Sequence, residues 1–129
     1  MLDAAHEAQG AIWQLGRLTL EPFDQHRYDI RRGAAIDAVR AMRRAAGAVQ
    51  LEGPADVAQA AEEYAKAIDR NIEPPIEALM QLNKGPLSED QQERYRSTAS
   101  ESNAFVEGCQ QRFVPLARQA LDELMNDVD

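Results

Sequence analysis

The sequence predicts an all-α protein, an antiparallel up-down-up-down four-helix bundle with proline-kinked third and fourth helices. Three observations carry that expectation. Apolar residues recur at alternating spacings of three and four along much of the chain, which lines them up on one side of a 3.6-residue helix. No window alternates apolar and polar residues while being rich in β-branched types, so no strand stands out. Aromatics make up 5% of the chain while alanine is abundant, and small residues suit close helix packing better than a β-sandwich.

The elements follow in order. The first segment, 3–20, places Ile12, Leu15 and Thr19 together, and flanking Trp13 and Leu20 broaden its apolar side. Pro22 stands where a helix can start, because a first-turn residue has no use for its N–H. The second segment, 22–51, carries the stripe Ala35, Val39, Met42, Ala46 and Val49. Gly53-Pro54 repeats the device and opens the third, 54–83, with Val57, Ala61, Tyr64, Ile68, Ile72, Ile76 and Leu79. NKGPLSED at 83–90 is a turn, and Ser88 with Gln91 three residues on forms a capping box. The fourth segment, 88–126, runs Ala99, Ser102, Val106, Cys109, Phe113, Leu116 and Ala120. Short connections between such helices favour antiparallel neighbours.

Two places disturb the pattern. Glu73-Pro74-Pro75 falls inside the third segment, and Pro115 inside the fourth. Each proline removes a backbone donor and crowds the preceding turn, so a kink or a break is expected at both. At about 1.5 Å per residue the first segment is roughly 27 Å long and the fourth roughly 58 Å. The chain beyond Pro115 therefore projects past the bundle end at 52–54 or folds across it. Leu116, Leu121, Leu124 and Met125 make that stretch too apolar to stand alone, and mark it as the expected interaction surface.

Composition limits the function. A chain of 129 residues reads as a single domain, 1–129, with a flank-bearing longer parent left open. The formal charge of −8 argues against nucleic acid or an anionic membrane as partner, since both need concentrated positive charge. One cysteine makes no internal disulfide, and the start of the chain has neither the basic residues nor the apolar run of a signal peptide. A cytoplasmic location is the resulting expectation.

The chemistry-bearing residues each have a plain structural use. Cys109 sits on the apolar stripe of its helix, where cysteine acts as a small hydrophobe. Arg112 is the cation near enough in sequence to activate it. His6 and His26 lack the Glu-x-x-His spacing of di-iron bundles and lie far apart along the axis, so no metal, no cofactor and no catalytic residue is expected. Arg27, Arg31, Arg32, Arg40, Arg43 and Arg44 crowd the second segment, and acids of the third and fourth segments are their expected partners. Among them Arg27 and Arg31, with the Ser-rich passage 96–102, could form a site for a small anionic ligand. The expected function is a non-enzymatic protein-interaction module, self-associating or adaptor-like. A four-helix sensor for a small anion is the alternative.

Overall fold

Residues 1–126 are described by the computed structural model; 127–129, the end of the expected 1–129 domain, lie outside the described residues. Local chemistry sets most boundaries. Helix α1 is Leu2–Arg17, followed by a 3-10 turn at Leu18–Leu20. Helix α2 spans Gln25–Glu52 and is started by Asp24, whose carboxylate accepts the Arg27 N–H at 3.1 Å. Pro22 therefore precedes the helix instead of opening it, because the Asp24 side chain supplies a cap that proline cannot. Helix α5, Glu89–Asn126, begins with the full capping box. Ser88 Oγ accepts the Gln91 N–H at 3.1 Å while Gln91 Oε1 accepts the Ser88 N–H at 2.9 Å. Gly85 in the preceding turn has φ +153°, a backbone state that strains any residue with a Cβ.

The expected third helix is two helices, α3 (Ala55–Arg70) and α4 (Glu73–Lys84). Pro74 and Pro75 cannot donate to the carbonyls of Arg70 and Asn71, so the hydrogen-bond ladder lapses there. Asn71 and Ile72 nevertheless keep right-handed helical backbone angles, and both prolines fall in the first turn of α4. Counting α3 and α4 as one interrupted leg leaves four helical legs among the described residues, and no strand. Pro115 breaks nothing. Helix α5 runs through it, and the kinks expected at the prolines are not seen; one helix is bent by only 7°. The physical reason lies in packing on both sides of the proline. Phe113 before it, and Leu116, Ala117 and Ala120 after it, all rest against the same core, which holds the axis.

The core is built where the stripes predict it, with small residues doing much of the filling. Ala5, Ala8, Ile12 and Leu15 from α1 meet Ala35, Val39, Met42 and Ala46 from α2. Val57, Ala61, Tyr64 and Ile68 from α3 meet Val106, Cys109 and Phe113 from α5, with Tyr64 and Phe113 rings 5.9 Å apart. Leu79 of α4 joins them. Helix α1 packs on α2, α2 on α3, and α3 on α5, while α4 touches both α1 and α5. The backbones of α1 and α5 stand apart, so that seam is open. Trp13 and Leu20, expected on the apolar side of the first segment, are 60% and 82% exposed on or next to this seam.

Candidate interaction surface

The last turns of α5 lie beside the N-terminus of α1 and the α2–α3 turn at one end of the bundle. Leu116, Ala117 and Ala120 are half-buried against the core, whereas Leu121, Leu124 and Met125 are 60%, 64% and 74% exposed. The reason is position along the helix: at 3.6 residues per turn Leu124 falls on the same side as Leu116, Ala117 and Ala120 but about one turn beyond them, while Leu121 and Met125 turn progressively away. With Met1 and Leu2 of α1 and Val49, Gly53, Pro54 and Val57 around the α2–α3 turn, this segment walls a cleft of about 830 Å³. Its base includes Phe113. Its charged lining side chains are Asp3, Glu52 and Glu123. Leu121 and Leu124 both line the cleft, whereas Leu51 is not part of its lining and is 89% exposed.

The arginines of α2 do not find the partners that the sequence suggested. Arg27 pairs with Glu21 at 2.7 Å on the exposed surface. Among the described residues, no carboxylate lies within ion-pair distance of Arg31, Arg32, Arg40, Arg43 or Arg44. The interhelical pair that does form, Arg112 with Glu63 at 4.0 Å, joins α5 to α3. Nor do Arg27 and Arg31 converge on the Ser-rich passage. Arg27 lines a slit of about 10 Å³ with Glu21, Phe23 and Leu79, Arg31 is exposed, and Ser97, Thr98 and Ser100 face solvent on α5. The missed signal is the distance in the fold: α2 and α5 are not packed neighbours.

Sequence reasoning also overlooked the open seam between α1 and α5. It forms a groove of about 690 Å³ floored by the α3–α4 break. There Asn71, the buried polar residue of the core, donates from Nδ2 to Asn103 Oδ1 at 2.9 Å. Gln9 Nε2 donates to the Tyr64 hydroxyl at 3.1 Å, and Arg17 lies 5.0 Å from the centre of the Trp13 ring. Burial raises the pKa of Tyr95 in this groove, with a Thr19 hydrogen bond acting against it. Gly16 makes room for that phenol: a Cβ there would sit 2.8 Å from the Tyr95 hydroxyl. Tyr95 lies four residues before Ala99, so extending the α5 stripe by one turn would have found it.

Cys109 is buried, as its stripe position implies, and Arg112 Nη2 donates to its Sγ at 3.2 Å. His6 and His26 are both exposed. Among the described residues no group of three or more His, Cys, Asp and Glu side chains is placed to hold a metal ion. Among them, too, no helix is long and apolar enough to cross a membrane. No family model matches the chain, and no curated protein and no solved structure matches it either.

Proposed function

We propose that the chain is a non-enzymatic protein-interaction module that self-associates through the C-terminal part of α5. The observation that carries this reading is the change along that segment from core-packed residues to exposed apolar ones. Leu116, Ala117 and Ala120 rest against the core, while Leu121 and Leu124 expose apolar area in a cleft and Met125 is exposed next to them in the chain. A contiguous apolar patch at a concave site is a common mark of a protein interface. The proposal takes the helical legs as an antiparallel up-down bundle, supported by the short connections at 53–54 and 85–88. It takes the cytoplasm as the working compartment, supported by one unpaired cysteine.

Leu121→Asp and Leu124→Asp test it, each placing a carboxylate where burial by a second chain makes it costly. Sedimentation equilibrium should show a shift toward monomer, with far-UV circular dichroism unchanged because both side chains are exposed in the single chain. If stability falls and mass does not, the segment only closes its own bundle. An unchanged mass and unchanged stability would leave the proposal without support.

A further inference from the structure

We propose that the association runs head to tail, the outer ridge of α2 in one copy docking into the bundle-end cleft of the next. This rests on the self-association reading and commits it to a second surface. Two features of the cleft bear on its occupant. Its base is apolar, with Val49, Val57, Phe113, Leu121 and Leu124, so the occupant must bring apolar bulk. Its charged lining side chains are Asp3, Glu52 and Glu123, with no lysine or arginine among them. Among the described residues none of the three carboxylates is in an ion pair; Glu123 accepts a hydrogen bond from Gln119 at 3.3 Å. Positive charge on an occupant complements these three carboxylates.

This chain carries such a surface. Helix α2 holds six arginines against Asp29, Asp37 and Glu52, and every other helix has more acids than bases. At 3.6 residues per turn, Arg40, Arg44 and Leu51 fall within roughly 40° of one another, on the side away from Val39 and Met42. All three are exposed, and among the described residues neither arginine has a carboxylate at ion-pair distance. Like charges at i and i+4 oppose the helix that carries them, so carboxylates from a second copy relieve α2 as well as the cleft. A two-fold pairing of cleft against cleft would instead set three carboxylates against three. Knob and cleft on different faces make the contact heterologous, which extends past a dimer unless the rotation closes a ring.

The test is sedimentation velocity on the full chain. The parent should form species larger than a dimer as concentration rises, and should dissociate between about 0.05 M and about 0.5 M salt. Arg40→Glu with Arg44→Glu, and separately Leu121→Asp with Leu124→Asp, should each weaken association by roughly tenfold or more. Each double variant spoils one half of the contact, so a 1:1 mixture keeps one intact pair. It should give a heterodimer and nothing larger. A mixture that stays monomeric, or an arginine variant that associates like the parent, overturns the head-to-tail contact. A salt-insensitive parent dimer does the same without any variant, yet leaves self-association standing. A parent that is monomeric throughout removes both.

Discussion

Cys109→Ser is a sharp test of how α5 is seated, because the outcome depends on one contact. Cys109 is 1% exposed beside Tyr64, and a hydroxyl at that depth without a partner costs about 1–3 kcal/mol. A partner is present. Arg112 Nη2 already lies 3.2 Å from the sulfur and can donate to a serine oxygen instead. Hydrogen bonds to charged groups contribute about 1.5–3 kcal/mol when well formed. The Arg112 side chain is 57% exposed, however, so solvent screening brings its share down to about 1 kcal/mol or less. The balance is a net loss of about 0.5–2 kcal/mol, which a domain of this size survives. Urea unfolding followed by circular dichroism measures it, alone and in a cycle with Arg112→Leu. The arginine change should cost about 0.5–1 kcal/mol more in the serine background than in the cysteine background. A serine loss above about 4 kcal/mol, or no coupling to Arg112, would refute the reasoning.

Other expected outcomes follow from the same geometry. The native Cys109 thiol should react slowly with a thiol reagent, and fast stoichiometric labelling would contradict its burial. Burial raises the pKa of Tyr64 and Tyr95 above the ordinary phenol value, with the Gln9 and Thr19 hydrogen bonds opposing it. The folded state thus holds those protons more tightly than the unfolded chain. That stability is fully present below about pH 10 and is lost as pH rises through the folded-state values, so urea midpoints should fall there. Tyr64→Phe should flatten part of that fall, and a pH-independent midpoint in the parent would count against it. Gly53→Ala should destabilise by about 1–3 kcal/mol, since a Cβ would meet the Val49 carbonyl oxygen at 2.7 Å, and backbone cannot rotate away as a side chain can. A neutral result in thermal unfolding would show that the α2–α3 turn is laxer than described. Elemental analysis of protein purified without chelator should find transition metal well below one equivalent.

The helical character of the chain, its stops at 53–54 and 83–88, and the capping box were legible in the residues themselves. Each depends on groups within one turn of one another: an N–H and the side chain three places away, or apolar residues repeating with the helix. The buried place of Cys109, Tyr64 and Met42 was legible for the same reason, as was the apolar excess of Leu121, Leu124 and Met125. Local pattern reports what a helix has to bury. It does not say what stands opposite. Prolines 74 and 75 could be read as a lapse in the ladder, but that Asn71 would meet Asn103 there is a fact of α5 lying against α3. Pro115 could be read as a lost hydrogen bond, but core packing on both sides decides that the axis stays nearly straight. The arginines of α2 looked balanced by acids of the following helices, yet among the described residues no acid of α3 or α5 stands within ion-pair distance of them. The groove between α1 and α5 was invisible, because a gap belongs to no residue and exists only where two helix backbones stand apart.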